Sequence, residues 1–421
     1  MSIQRLIDSK CCIYADSDWI VLDAYSNYSL ISPKFKGLTL VDWIELHFNE
    51  RLEILDDKRR KSESKNLVYL VRSQNALDIF QKTGLPQADL FSTALEKFKP
   101  FSAFCEDSDL ERALNLRRNL LSSVTNAFRV VQRGELSQFD VAIDLYADYL
   151  CFWVFEEDAI ESSMLEKARF LYEQISRSYS CKGAVVKFSQ KNPHKKGLIQ
   201  KQKILGEEPP AWFEVFEHDL KLRVTLTQMQ HTGLFLDQRD NRRRVFLSSK
   251  NKKVANLFCF SGSLTIAALA GSATLTSSVD LSQKYLDWTK ENLALNGLLE
   301  KTSPLICEDA RTWLLRQGRR VERDLNQSFD IIICDPPTFA SSGKKHKNFN
   351  VEKEWDNLAS LCKKIASPNS QIYFSTNCQK QSSLFFEKPL RQYFKSIKPL
   401  PTPFDFSTSQ NHLKSFFAIN Y

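Results

Sequence analysis

Short apolar runs bounded by polar residues recur through the second half of the chain: Val254–Phe260, Thr274–Asp280, Ser303–Asp309, Phe329–Pro337 and Ser370–Thr376. Each is rich in β-branched or small residues and too short for a buried helix, which predicts strands covered on both faces. Helical patterns lie between them. "SQKYLDWTKENLALNG" is one, predicted to begin at a Ser cap and to stop at Gly297. Strands alternating with helices predict an α/β, doubly wound, mostly parallel sheet over residues 223–421, with "KSFFAINY" as a last strand that no helix follows. Residues 105–222 read differently. A basic helix, "LERALNLRRNLLSS", precedes the strand-like runs "FDVAIDLYADYLCFWVF", "GAVVKFS" and "WFEVFEHDLKLRVTL", which predicts a small α+β domain. Residues 1–104 carry no motif and no assignable fold, and Asp56–Asn66 reads as an exposed charged loop or helix end. No internal repeat shows at any period.

Composition sets limits on this picture without changing it. A chain of 421 residues and 48.6 kDa is long enough for two or three domains, and 43% hydrophobic residues can build real cores. The net charge of +8 suits a polyanionic partner or mere solubility, so the clustering of the charge has to decide. None of the ten cysteines makes a CxxC pair, and six histidines are too scattered to complete a zinc site, so no metal is expected. Cys259, Cys307 and Cys334 lie in apolar runs, where cysteine serves as a small core residue. Charges interrupt the N-terminal stretch where a signal peptide needs an apolar core, and no run approaches the ~20 apolar residues that span a bilayer. A cytoplasmic protein with reduced thiols is expected.

The candidate chemistry sits at the carboxyl ends of the predicted strands, where doubly wound sheets bind ligands. The turn Phe260–Ser263 ("FSGS") offers small residues and amides at a helix N-terminus. Asp280 closes the next strand, where a carboxylate can accept both hydroxyls of a ribose. The turn lacks the GxGxxG spacing suited to a pyrophosphate, so a nucleoside without one fits better, with S-adenosyl-L-methionine the common example. Asp309, ending the third strand, then stands where it can accept from an adenine amino group. Singly, each acid is as well read as a solvated strand end; two in succession after a small-residue turn favour the ligand. "DPPTF", Asp335–Phe339, follows the fourth strand. Its two prolines enforce an extended loop, holding the Asp335 carboxylate in place while a planar base lies against Pro337 or Phe339.

These residues carry a resemblance. From about Ala113 to Tyr421 the chain resembles the bacterial class I methyltransferases that modify large-subunit ribosomal RNA, in three blocks: Thr232–Val245, the run from Asn256 to Gly297, and Phe329–Phe339. The resemblance implies a Rossmann-like domain using S-adenosyl-L-methionine. It implies cofactor contacts from Phe258, Ser261, Gly262, Asp280, Asp309 and Asp335, with Thr232, Phe235, Asp237, Gln238 and Arg239 as a flanking block. Asp335, Pro336, Pro337 and Phe339 would meet the substrate. "LGEEPP" and "TNAFRVV…FDVAIDLYADYL" look like the central domain of the family's cytosine-C5 branch, yet the PUA-type N-terminal pattern of that branch is missing from residues 1–100.

Basic residues cluster at Asn192–Lys203, Arg239–Arg244, Asn251–Lys253 and Gly343–Lys347. One run alone is usually a solvated face, but four, one of them beside the Asp-Pro-Pro loop, favour nucleic acid. Lys195, Lys196, Arg242, Arg243, Lys344, Lys345 and Lys347 are the candidate phosphate contacts, and the resemblance makes the partner large-subunit rRNA or a pre-ribosomal intermediate. A base inside an rRNA helix would have to be flipped out or met unfolded. Methylation of cytosine C5 needs a Cys thiolate added at C6, whereas guanine N7 already carries an in-plane lone pair. The cytosine branch places its Cys where this chain has Thr376, in "FSTNCQ", with Cys378 two residues on. Guanine N7 is therefore the favoured target, and attack by Cys378 on cytosine is the alternative. A methyltransferase of a small molecule or protein, and a non-catalytic RNA-binding assembly factor, are the remaining readings.

Overall fold

A computed structural model describes residues 12–15, 20–23, 53–56, 68–72, 109–117, 125–137, 139–155, 161–188, 202–301, 303–340, 348–406 and 413–420. The chain forms two compact units. Of the described residues, the first takes in those up to Leu236 together with 403–406, and the second those from Asp237 to Thr402 together with 413–420.

In the first unit, β1 (Cys12–Ala15), β2 (Ile20–Asp23), β3 (Glu53–Asp56) and β4 (Val68–Arg72) form an antiparallel sheet in the order β1-β2-β4-β3. After α1 (Asp109–Arg117) come β5 (Ala127–Val131), β6 (Val141–Tyr146), β7 (Tyr149–Val154), α2 (Glu161–Tyr179), β8 (Gly183–Phe188) and β9 (Gln202–Gly206). Strands β5 to β9 pair in sequence order, antiparallel except for β7 and β8, which α2 connects in parallel. The hairpin β10 (Phe213–Glu217) and β11 (Leu220–Val224) follows. The compact unit runs on past residue 222 because Val224, Leu226, Leu234 and Leu236 join Tyr146, Cys151 and Val185 in one buried cluster. The segment 403–406 is held there too: Arg117 Nη2 donates to the Asp405 carbonyl at 2.7 Å, and the Asp405 carboxylate accepts from Arg129 N at 2.9 Å.

The second unit opens with α3 (Arg239–Ser248) and continues as β12 (Lys253–Leu257), α4 (Ser263–Ala270), β13 (Leu275–Asp280), α5 (Gln283–Leu295), β14 (Leu305–Cys307), α6 (Ala310–Arg323) and β15 (Phe329–Cys334). The short strands β16 (Phe339–Ala340) and β17 (Phe349–Asn350) lead into α7 (Val351–Ile365), β18 (Ala366–Thr376), α8 (Ser383–Tyr393), β19 (Ser396–Leu400) and β20 (Lys414–Asn420). The seven-stranded sheet has the order β14-β13-β12-β15-β18-β20-β19. Its first five strands are parallel, and β20 lies antiparallel to both β18 and β19. The order reverses between β12 and β15, which opens a crevice at their carboxyl ends.

One core of this unit is apolar. Trp355 of α7 packs its ring 4.9 Å from Phe386 and 5.7 Å from Phe374, while its indole N–H donates to the Phe386 carbonyl at 2.8 Å. Beneath the β12–α4 turn the interior is polar instead. Asn256 Nδ2 donates to Thr265 Oγ1 at 2.9 Å, and Thr265 Oγ1 lies 2.7 Å from Ser278 Oγ, so the buried groups satisfy one another and tie β12, α4 and β13 together. Two details differ from the sequence reading. Ser282 occupies the N-cap position of α5 without a side-chain cap bond. Cys307 is exposed, because β14 is an edge strand, whereas Cys259 and Cys334 are buried as expected.

Candidate active site

The turn after β12 is unusual in its backbone. Phe258, Phe260 and Gly262 all have positive φ, at 57°, 52° and 77°, so the chain folds tightly before α4. Helix α5 holds this shape. Thr289 Oγ1 donates to the Phe260 carbonyl at 3.0 Å, and Asn292 Nδ2 donates to the Ser261 carbonyl at 2.9 Å. A Cβ on Gly262 would stand 2.3 Å from Thr289 Cγ2, so glycine is required both by φ and by the close approach of α5. The Phe260 ring meets Tyr285 at 4.6 Å and Trp288 at 5.8 Å, while Phe258 packs 5.5 Å from Phe349.

Asp280 closes the turn from the neighbouring strand. Its Oδ2 accepts from Phe260 N at 2.9 Å and its Oδ1 from Ser282 N at 2.9 Å. Each oxygen thus keeps acceptor capacity beyond its backbone bond, the arrangement that suits two neighbouring hydroxyls. Burial raises the Asp280 pKa above its ordinary value, against the lowering effect of the amides of Ser282, Phe260 and Leu281.

Asp309 is more heavily engaged. It caps α6, accepting from Arg311 N at 2.9 Å and Thr312 N at 3.3 Å, and it pairs with Arg311 Nη2 at 2.7 Å. Arg311 in turn reaches Glu354 at 3.0 Å. Burial works to raise the Asp309 pKa, but the hydrogen bonds and charge of Arg311 outweigh it and leave the carboxyl below its ordinary value. Oδ1 takes three of the four donors, so an amino group would have to use Oδ2.

The Asp-Pro-Pro loop leaves β15 with Asp335 half-buried, Pro336 buried, and Pro337 and Phe339 exposed. Gln238 Nε2 donates to Asp335 Oδ2 at 3.0 Å and Ser375 Oγ to Oδ1 at 2.6 Å. Burial raises the Asp335 pKa; the bonds from Ser375 and Gln238 and the charge of Arg242 pull it down only partly. Thr338 Oγ1 lies 2.7 Å from Asn377 Oδ1, linking the loop to the end of β18.

The other sequence candidates fall in several places. Ser261 is buried within the turn, and Arg239 is buried at the start of α3, beside the partly exposed Asp237. Thr232 and Phe235 belong to the first unit, where Thr232 Oγ1 lies 2.9 Å from Tyr146 OH and Phe235 is exposed beside the His231 ring. Arg242 requires a correction as an RNA contact. It is 1% exposed, as is Arg244, because α3 turns this part of the basic run inward. Arg243 is half-buried with its guanidinium 5.0 Å over Phe246. Cys378 is fully buried in the apolar core; its N–H donates to Thr376 Oγ1 at 3.2 Å. Lys195, Lys196, Lys344, Lys345 and Lys347 lie outside the described residues. Among the described residues, no group of three or more His, Cys, Asp or Glu could hold a metal, and no helix is long and apolar enough to cross a membrane. The sequence reading missed Thr289, Asn292, Arg311, Glu354 and Ser375, which shape the site from a distance along the chain.

Comparison with known proteins supplies the class. Residues 179–355 match the profile of the S-adenosylmethionine-dependent methyltransferase family, which makes S-adenosyl-L-methionine the cofactor of this domain. Over 256 residues the chain is 33% identical to the ribosomal RNA large subunit methyltransferase K/L of Shewanella baltica (strain OS155), covering 59% of this chain and 34% of the relative. A Shewanella oneidensis protein of the same name is 33% identical over 248 residues, again covering 59% and 34%. The chain thus spans about a third of the length of these curated relatives. Among solved structures, a candidate methyltransferase complexed with SAH is similar at a TM-score of 0.63, 23% identity, and coverage of 85% of this chain and 86% of the other. An Agrobacterium tumefaciens SAM-dependent methyltransferase reaches 0.52 at 17% identity, covering 70% and 90%. At these identities the structures show the shared fold.

The Gly262 packing makes a prediction. Gly262→Ala should destabilise the protein by about 1–3 kcal/mol, the scale of one strained backbone position. Adding Thr289→Ser, which removes the opposing methyl, should recover part of that loss. Urea denaturation of the single and double variants measures both, and full stability in Gly262→Ala would show that the turn does not need glycine.

Proposed function

Taking residues 179–355 as a segment of the S-adenosylmethionine-dependent methyltransferase family, we propose that this protein methylates large-subunit ribosomal RNA in the cytoplasm, at guanine N7. The substrate class rests on the similarity to the large-subunit rRNA methyltransferases and on the basic runs of the sequence. When bound, S-adenosylmethionine supplies an electrophilic methyl group on a sulfonium. Asp280 holds the ribose hydroxyls with the acceptor capacity its two amides leave free. The Phe258–Gly262 turn approaches the nucleoside through its backbone, and Asp309 Oδ2 accepts from the adenine amino group. Asp237, Gln238 and Arg239 of the flanking block brace the pocket.

Pro337 and Phe339 offer exposed apolar faces to a planar base, and Asp335 accepts from its ring N–H and amino donors. Guanine presents both donors on one edge and leaves N7 free on the other. Its N7 lone pair needs neither a general base nor a covalent adduct, so positioning for in-line attack does most of the catalytic work. The burial of Cys378 supports this choice of base, because attack on cytosine C6 calls for an accessible thiolate and this thiol lies in the apolar core. Lys195, Lys196, Lys344, Lys345 and Lys347 are proposed to meet phosphates, contributing affinity with little sequence information.

Two measurements test this reading. Losing the Asp280 carboxylate removes charge-assisted hydrogen bonds valued at about 2–3 kcal/mol, so Asp280→Ala should weaken S-adenosylhomocysteine binding on the order of a hundredfold in calorimetry. Unchanged affinity would remove Asp280 from the site. Cys378→Ser should keep its methyl-transfer activity on protein-free large-subunit rRNA; complete loss in a variant that folds and binds S-adenosylhomocysteine would reinstate the cytosine chemistry.

A further inference from the structure

Gln238, Asn241 and Arg244 succeed one another at three-residue spacing, all buried, and they form a line of hydrogen bonds that ends at Asp335. The line has a direction. A guanidinium only donates, so Arg244 Nη1 meets the carbonyl oxygen of Asn241, Oδ1, at 2.9 Å. Asn241 must then point its amide nitrogen the other way, and Nδ2 donates to Gln238 Oε1 at 2.7 Å and to Ser415 Oγ at 3.0 Å. With its carbonyl engaged, Gln238 aims Nε2 at Asp335 Oδ2 and at Ser375 Oγ, both at 3.0 Å. Reversing either amide would set oxygen against oxygen, and reversing both would turn the Gln238 carbonyl onto a carboxylate.

Arg244 is a poor stabiliser where it stands. Its Nε and Nη2 have no hydrogen-bond partner among the described residues, and burial holds its pKa below the ordinary value for arginine against the opposing charge of Asp240, one turn earlier, and the Tyr373 hydroxyl. A buried ionic group is weak evidence for stability, because desolvation offsets most of what its partners return. Local rules are broken in this way mainly where function requires it.

We propose that Arg244, Asn241 and Gln238 are positioning residues, a relay whose guanidinium end orients two amides so that Asp335 is held as an ionised acceptor for the substrate base. The inference rests on the functional reading above, in which Asp335 receives the base. The other groups facing Asp335 are the Arg242 guanidinium from α3, the neutral Ser375 from β18, and the buried Cys334 thiol beside it on β15, whose pKa burial raises.

The test needs no RNA. Because burial raises the pKa of Asp335, its protonated form favours folding at low pH, and that advantage is lost as pH rises through the folded pKa. The Tm difference between the full-length protein and its Asp335→Asn derivative, followed from about pH 4 to 8, therefore falls between the unfolded and the folded pKa of Asp335 and levels off above the folded one, so its midpoint moves with the folded pKa. Asn241→Asp places an acceptor-only group between Arg244 and Gln238, which turns the Gln238 carbonyl towards Asp335. The midpoint should then rise by about half a pH unit or more, with the Asp335→Asn comparison repeated in that background. Arg244→Met should raise the midpoint by a smaller amount. An unmoved midpoint in Asn241→Asp overturns the relay, even if Arg244→Met fails to fold. A large loss of Tm in Arg244→Met with an unmoved midpoint would make Arg244 structural. Failure of the wild-type protein to bind S-adenosylhomocysteine would instead sink the functional reading and leave the midpoint result standing.

Discussion

The second unit depends on seating a carboxylate at the buried end of a central strand. Asp335 leaves β15 beside β12, where the strand order reverses, and an ionised carboxylate there is costly unless donors meet it. The donors come from two elements far apart in the chain, Gln238 ahead of the sheet and Ser375 at the end of β18. Helix α3 and the antiparallel strand β20 are drawn into the same network through Asn241 and Ser415. Asp335 thus sits in a continuous polar network, while Trp355 and its aromatic neighbours form an apolar layer elsewhere in the unit.

Across the crevice the constraint has a different form. The turn after β12 adopts three left-handed residues, a conformation held by Thr289 and Asn292 from α5 and by the Asp280 carboxylate. Asp280 is both a brace for the turn and a group with acceptor capacity left over. One carboxylate serves the backbone and stays available to a ligand, which explains why a small-residue turn and an acid about twenty residues later form a unit of chemistry.

Much of this was legible in the sequence because it follows local rules. The parallel strands announced themselves as short apolar runs, and the positions of Asp280 and Asp335 followed from where those runs end. The rest depends on contacts that periodicity cannot see. Thr289 and Asn292 look like ordinary polar positions on an exposed helix until the turn is packed against them. The run Arg239–Arg244 reads as a solvated basic face, yet its helical phase carries Asn241, Arg242 and Arg244 inward. Proline masked two elements: Pro389 lies inside α8, and Pro399 lies in β19, an edge strand where a missing N–H is tolerated. Cys378 stands two residues from Thr376 in the sequence, and its burial in the apolar core is a tertiary property that no local pattern displays.

The central claim is that the methyl group goes to guanine N7 of large-subunit rRNA by positioning alone. A methyl on N7 makes the imidazole ring cationic and open to reduction, after which aniline cuts the strand at that nucleotide. Protein-free large-subunit rRNA should be incubated with the full chain and S-adenosylmethionine, then treated with borohydride and aniline and mapped by primer extension. The account predicts a protein-dependent scission at a guanosine, with 7-methylguanosine in the nucleoside digest. Methyl incorporation without scission, accompanied by 5-methylcytidine in the digest, would contradict it.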